Sequence, residues 1–283
     1  MKIVVTAANG QLGSAIIQKL LQELSSNQVV GLARTPAKAE GLGVEIQPGD
    51  YNEKSHFDAA FRDVDVVILI SGMDPPDMRI IQHRNVINAA RDAGVKKIVY
   101  TSIIGAISGT TFSPIVASNR QTEKDIKSSS LQWVIGRNGL YIEPDVKYLD
   151  SYIEAGRISN CAADGKCAYT TRSELAHAYA QMALNDKHNG KTYVLAGESI
   201  TQQQLTDLFN TAFGLSLMYE PLSVEAYKQE RTVELGEFLG TIISGIYAGI
   251  RDCSFDVQSD YEAAAGRKHI NWNDYFKLLA AKK

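Results

Sequence analysis

A chain of 283 residues with 45% hydrophobic content has room for one large globular domain, or for a core with a smaller appendage. Its formal net charge of -3 excludes the broad basic face of a general nucleic-acid binder. No apolar run approaches the length of a membrane-spanning helix, and Met1-Lys2-Ile3-Val4-Val5-Thr6 opens into a glycine turn rather than a signal-peptide cleavage site, so the expected address is the cytoplasm.

In chain order, apolar runs predict strands at residues 2–6, 28–33, 44–48, 64–70, 97–101 and 132–136. Between them lie helical periodicities, Leu12, Ile16, Leu20 and Leu24 in one segment and Ile80, Ile81, Val86, Ile87, Ala89 and Ala90 in another. Strand and helix in strict turn imply right-handed crossovers, a parallel sheet and helices on both of its faces, the doubly wound α/β Rossmann arrangement. After about residue 140 this rhythm stops. Helices are expected at 173–184, 201–213, 223–229, 233–250 and 272–280, with one strand at 192–196. The expected organisation is a dinucleotide-binding domain over 1–140, its sheet extended by a strand from 191–197, and a smaller, mostly helical substrate-binding lobe over 141–283. That lobe would form the far wall of the crevice outside the strands' carboxyl ends, where such sheets bind ligands.

Cys161, Cys167 and Cys253 form no zinc-like pair, and an odd count suits a reducing compartment; Cys161 and Cys167 read as structural thiols. Thr6-Ala7-Ala8-Asn9-Gly10-Gln11-Leu12-Gly13 lies between the first strand and the first helix. It approximates the G-x-x-G-x-x-G turn of short-chain dehydrogenases, with Gly10 admitting a pyrophosphate against the backbone and Gly13 admitting the helix against the sheet. Phosphates would rest on the helix N-terminus. Ala7 replaces the first glycine, at little cost if its φ is negative and at the cost of strain otherwise.

The second strand ends Gly31-Leu32-Ala33-Arg34-Thr35, without the Asp or Glu that holds an NAD ribose. Arg34, assisted by Lys38, is placed for the 2′-phosphate of NADP. Asp50 is expected to accept from the adenine amino group or to cap the following helix, while Tyr51 packs on the adenine ring. Ser71 and Gly72, small residues at the end of the fourth strand, would admit the ribose.

Reductases of this superfamily carry Tyr-x-x-x-Lys after the fifth strand, the phenol serving as proton donor. Here Lys124 stands at the lysine position, and Arg120 occupies the tyrosine position. Loss of that acid disfavours carbonyl reduction to an alcohol. It suits a quinone, whose reduced anion is stable enough to take its proton from solvent, so that proximity and orientation suffice.

Together with the turn at 6–13, the segments Arg34-Thr35-Pro36-Ala37-Lys38-Ala39, Gln82-His83-Arg84-Asn85-Val86-Ile87-Asn88-Ala89-Ala90, Ala93-Gly94-Val95-Lys96 and Tyr100-Thr101-Ser102 resemble one family. Thr122-Glu123-Lys124, Arg137-Asn138-Gly139 and Gly190-Lys191-Thr192-Tyr193-Val194-Leu195-Ala196-Gly197 continue the likeness to about residue 230. They look like the NmrA-like atypical short-chain dehydrogenases, and among them the bacterial NADPH:quinone oxidoreductase type 2 group. The resemblance implies an NADPH-dependent, monomeric or dimeric reductase of quinone-like small molecules. It places Gly10, Gln11, Leu12 and Arg34 at the adenosine and phosphates, Ser71, Thr101 and Lys124 on the ribose–nicotinamide side, and Asn138, Gly139 and Tyr141 on the pocket floor; Thr6, Ala8 and Asn9 of the same turn are expected to bind the cofactor with them. The catalytic set expected is therefore Lys124, Asn138 and Tyr141. Two other readings stay open: a non-catalytic NADP(H)-sensing regulator, and a sugar-nucleotide epimerase relative, which would need the missing Tyr.

His83 and Arg137 read as structural, Arg172 as a brace of the lobe behind a cap at Thr171 or Ser173. The stretch Leu235, Phe238, Leu239, Ile242, Ile243, Ile246, Tyr247 and Ile250 reads first as a buried helical face, with an acceptor wall or a subunit contact as alternatives.

Overall fold

Strands such as Val66-Val67-Ile68-Leu69 are apolar on both faces, and a strand of that kind is stable only with helices covering it above and below. A computed structural model describes residues 1–282 and shows this arrangement. Its first half comprises β1 (Ile3–Val5), α1 (Gln11–Leu20), β2 (Val29–Ala33), β3 (Glu45–Pro48), α2 (Lys54–Ala60), β4 (Val66–Leu69), α3 (Pro76–Asp92), β5 (Lys97–Ile103), α4 (Ser113–Lys127) and β6 (Gln132–Asn138). Next come β7 (Leu140–Tyr141), α5 (Glu143–Lys147), α6 (Leu149–Ala155), β8 (Arg157–Asn160), β9 (Lys166–Thr170), α7 (Arg172–Leu184) and β10 (Lys191–Leu195). The chain ends with β11 (Ser199–Thr201), α8 (Gln202–Phe213), β12 (Met218–Pro221), α9 (Val224–Leu235), α10 (Glu237–Arg251), α11 (Tyr261–Ala265) and α12 (Trp272–Ala280).

The central sheet has seven parallel strands in the order β10-β6-β5-β4-β1-β2-β3. The chain builds outward from β1 to β3 and then reverses to β4, so β1 and β4 flank the switch point whose crevice receives ligands. Alternate residues feed two apolar layers: Ile3, Val5, Ile68 and Val99 pack with Ile16, Ile17 and Tyr179, while Val4, Val67, Leu69 and Ile98 pack with Phe57, Val86 and Ile126. A third cluster, including Ile142, Ile158, Phe209, Phe255 and Phe276, forms the centre of the lobe.

Residues beyond 140 serve both parts. β10 lies at the sheet edge beside β6, and α7 packs over α1 in the sheet layer. The lobe also contains two small sheets, β11-β9-β7 and β12-β8, that the periodicity did not predict. Their strands are too short and too mixed, as in Arg157-Ile158-Ser159-Asn160, for a two-residue period to register. The single helical stretch expected over 233–250 is broken at Gly236, whose φ of 82° ends α9 and starts α10 in a new direction. α10 rests directly on the loop before α4: a Cβ on Gly245 would lie 2.6 Å from the Phe112 amide nitrogen, and Thr111 Oγ1 donates to the Thr241 carbonyl at 2.8 Å.

Candidate active site

The turn after β1 is built from backbone. Ala8 N–H donates to Leu32 C=O at 2.8 Å, Gly10 N–H donates to Ala7 C=O at 2.9 Å, and α1 starts at Gln11 with no side-chain cap. The amides of the first helical turn, Gln11, Leu12 and Gly13, therefore face the crevice without a capping side chain, which is the donor set an anionic pyrophosphate requires. Gly13 allows the approach, since a Cβ there would sit 2.3 Å from Ala7 C=O. Ala7 itself has φ 49°, so the strain envisaged for a non-glycine residue is present. Asn9 and Gln11 are exposed beside the turn, whereas Ala8 and Leu12 are buried beneath it. Thr6 is also buried: its Oγ1 accepts from Ile70 N–H at 2.9 Å and lies 2.7 Å from the Tyr51 hydroxyl.

At the end of β2, Arg34 and Lys38 are exposed, and neither makes an ion pair among the described residues. Both cations are thus unclaimed by any carboxylate, and β2 itself carries none. The loop after β3 is more committed than expected. Asp50 Oδ1 accepts from the Asn52 amide at 3.0 Å and from Asn52 Nδ2 at 3.2 Å, closing an Asx turn, while α2 begins with Glu53 as its cap position. The Tyr51 hydroxyl donates inward to Ile70 C=O, and its ring stacks on Phe57 with centroids 5.9 Å apart. Tyr51 therefore ties the ends of β1, β3 and β4 together.

Above β4 and β5 the side chains form a continuous polar network. Ser71 N–H donates to Thr101 Oγ1 at 2.9 Å, and Ser71 Oγ donates to Asn119 Oδ1 at 2.7 Å. The Tyr100 hydroxyl donates to the same Asn119 oxygen at 2.6 Å; burial pushes that phenol up to about 12. Gly72 N–H donates to His83 Nε2 at 3.0 Å, so the ring's proton is on Nδ1, facing Thr122 Oγ1 at 2.9 Å. Burial first, and the nearby Arg79 charge second, push His83 down to about 3; it is a neutral structural residue, as its sequence context indicates.

Lys124 does not join this network. It is solvent-exposed, about 140° round the helix from Asn119 and about 7.5 Å further along its axis. Asn119, only 1% exposed, is the α4 side chain that reaches Ser71. Sequence reasoning missed Asn119 because the tyrosine–lysine spacing directs attention to Arg120 and Lys124. Arg120 donates to Ser102 Oγ at 3.0 Å and to Glu123 Oε1 at 2.9 Å, and Arg137 grips the same carboxylate from Nε and Nη2 at 2.9 and 2.7 Å. Arg137 is thus a structural ion-pair partner, and the two guanidiniums with the Ser102 hydroxyl hold the Glu123 carboxyl below its ordinary value against its burial.

Asn138, expected on the pocket floor, is buried with its Oδ1 accepting from the Tyr179 hydroxyl at 2.6 Å, so it braces the crest from beneath. Tyr141 is half-buried in β7, with the Arg172 guanidinium 4.6 Å from its ring centroid; desolvation raises its phenol, and Asn138 and Arg172 oppose that rise. Arg172 in turn pairs with Glu143 at 3.3 Å, and Thr171 caps α7 by accepting from Glu174 N–H. Beside the crest opens a cleft of about 460 Å³ lined by Pro76, Thr111, Pro114, Ile115, Glu237, Phe238, Thr241 and Ile242. The stretch read first as a buried face is therefore divided: Ile250 is fully buried, but Phe238 (56% exposed) and Ile242 form the roof of this cleft. Cys161 and Cys167 are free and buried, and burial raises both thiols, Cys161 to about 11, which leaves them unreactive. No group of side chains suited to a metal ion occurs among the described residues.

A family model described as NAD(P)H-binding matches residues 7–186, from the phosphate turn through Arg34 and the crest to the end of α7. The chain belongs to the NAD(P)H-binding family. Quinone oxidoreductase 2 of Escherichia coli K12 is 36% identical over 225 residues, covering 78% of each chain. The NADPH complex of the E. coli NADPH-dependent quinone oxidoreductase QOR2 superposes with a TM-score of 0.90 at 30% identity, over 98% of this chain and 99% of that one. A Citrobacter sp. triphenylmethane reductase superposes with a TM-score of 0.92 at 31% identity, covering 100% of both chains. The family read from the motifs is borne out, and with it an NAD(P)H-dependent oxidoreductase on a Rossmann fold. No helix among the described residues is long and apolar enough to cross a membrane.

Proposed function

We propose that this enzyme uses NADPH to reduce a quinone or a comparably electrophilic aromatic acceptor held in the cleft beneath α10. The observation that carries the reading is an apolar cleft opening beside a crest that holds no titratable acid at the usual tyrosine position, where Arg120 is committed to Glu123. When bound, the cofactor supplies the hydride. The first-turn amides of α1 hold its pyrophosphate, and Arg34 with Lys38 selects the 2′-phosphate. Ser71, Thr101 and Asn119 fix the floor beneath its nicotinamide half, with Asn119 in the place expected for Lys124. Phe238 and Ile242 exclude water and orient the acceptor's ring; Tyr141, packed under Arg172 in β7, is not among the residues that line the cleft. This division of labour fits acceptors that need orientation more than proton donation. The free buried thiols favour a reducing, cytoplasmic setting; whether a second copy is a partner is read by sedimentation.

NADPH oxidation with a panel of benzoquinones, run beside NADH and Arg34→Ala, tests the proposal. Turnover that prefers NADPH is expected, with the preference falling about ten- to hundredfold in the variant as one charge-assisted contact is lost. Tight cofactor binding with no acceptor reduced would replace the enzyme by an NADP(H)-sensing regulator. The epimerase alternative loses its chemistry here, because the phenol it requires is a salt-bridged arginine.

A further inference from the structure

Arg79, on the first turn of α3, is 5% exposed and makes no ion pair among the described residues. Its Nη2 donates a long hydrogen bond of 3.3 Å to Ser71 Oγ, and its Nε is buried without a partner. The nearest carboxylate acting on it, Asp74, is bound by Gln82 Nε2. A guanidinium stays charged under burial, and an uncompensated buried charge costs several kcal/mol. Its position gives that cost a use. Pro76, three residues earlier on α3, lines the cleft; so does Ile115, whose carbonyl accepts from Asn119 Nδ2 at 2.9 Å. Asn119 in turn holds Ser71, and Ser71 holds Arg79, so the charge lies two side chains from the cleft wall.

We propose that Arg79 is the electrostatic positioning residue for the reduced acceptor: its field, relayed through the Ser71 hydroxyl, stabilises the oxyanion that forms when a neutral quinone accepts hydride. This rests on the reductase reading. In that step the hydride's electron pair forms the new bond on the acceptor, the acceptor's carbonyl π electrons move onto oxygen, and solvent later supplies the proton. A cationic acceptor becomes neutral in the same step and gains nothing from a nearby positive charge, so Arg79 also sorts acceptors by charge.

The test uses Arg79→Gln and Arg79→Lys in the full-length protein. With wild type, binding of 4-nitrophenol to the NADP⁺-loaded enzyme should lower the probe's pKa, read from its visible band, by about one unit, the shift a partly screened charge produces. Arg79→Gln should abolish the shift, and Arg79→Lys should retain part of it. In turnover, Arg79→Gln should lower kcat for neutral benzoquinones by about 10- to 100-fold and leave a cationic triarylmethane dye as fast or faster. NADPH affinity should not fall in Arg79→Gln. An unshifted probe in wild type overturns the proposal even if quinones are reduced. So does an equal loss for neutral and cationic acceptors, or a weakened NADPH affinity, which would give the charge to the cofactor's phosphates. If Arg79→Gln does not fold, a probe shift in Arg79→Lys above background and below that of wild type supports the proposal, and its absence overturns it. If wild type reduces no quinone, the substrate reading fails while the probe measurement still decides the role of Arg79.

Discussion

At the crest of the sheet and at the centre of the lobe, burial acts on a base and on an acid respectively, with opposite results. His83 is a base fixed between Gly72 N–H and Thr122, and burial holds it neutral down to about pH 3. Asp145, on α5 and 4% exposed, is an acid whose hydrogen-bond partners among the described residues are the phenols of Tyr152 at 3.0 Å and Tyr247 at 3.2 Å; burial pushes it up to about 6, against their pull. Withdrawal from water penalises charge in both cases. For the histidine, whose folded pKa lies below the ordinary value, the stabilisation is full above about pH 6.5 and is lost as pH falls towards 3. For the aspartate, whose folded pKa is raised, the native state favours the proton, so the residue costs stability above pH 6 and the cost fades as pH falls from about 6 towards 4. Acid therefore costs stability through His83 and relieves a cost at Asp145, while the hydrogen bond from Tyr247 of α10, which favours the carboxylate, weakens as Asp145 takes its proton.

Three substitutions would break or sharpen this contrast. His83→Ala strands the Gly72 amide, removes the donor to Thr122 Oγ1, which still donates to Ser118 C=O, and leaves a cavity, so urea unfolding near neutral pH should show a loss of about 3–5 kcal/mol; a loss below about 1 kcal/mol would mean the crest does not depend on this ring. Asp145→Asn removes the buried charge while keeping an acceptor for both phenols. Its stability relative to wild type should improve by about 2–3 kcal/mol between acid and mildly alkaline buffer, and a pH-independent difference would remove Asp145 from the comparison. Ala7→Gly is the smallest. Relief of a left-handed alanine is worth about 1–2 kcal/mol and the added backbone freedom costs about 0.5–1 kcal/mol, so a gain of at most about 1 kcal/mol is expected by thermal unfolding; a loss would show that the turn is not strained.

The sheet half was legible because most of its strands lie in apolar runs separated by helices of the right period, as in Val66-Val67-Ile68-Leu69, and because Arg34 follows β2 where a carboxylate is absent. Ala7 was legible as a departure, but its φ was not, since the sign depends on how α1 seats against the turn. Asn119 and Arg79 were invisible for a different reason. Each is an ordinary polar residue on a helix, and what makes it part of the site is contact with Ser71, which the folding of β4 beside β5 brings about. Lys124 shows the converse: its spacing from position 120 fits a familiar pattern, yet the phase of α4, set by buried Val116, Asn119, Glu123 and Ile126, turns it to solvent. The small sheets of the lobe were lost because their strands mix polar and apolar residues, as in Arg157-Ile158-Ser159-Asn160 and Ser199-Ile200-Thr201, and show neither an apolar run nor a clean alternation.

The path of the chain between the halves limits what motion can serve catalysis. It leaves the sheet at Gly139, re-enters at Thr171 to make α7 and β10, and leaves again at Ala196. These crossings are laced to one another: Gly139 N–H donates to Leu195 C=O at 2.9 Å, Ile142 N–H to Thr170 C=O at 3.0 Å, and Gly197 N–H to Tyr169 C=O at 2.7 Å. A seam sewn at three places does not swing like a door. A protease cut near residue 140 would therefore not release a complete sheet half, because the piece set free would leave behind the edge strand β10 and the helix α7 that covers it.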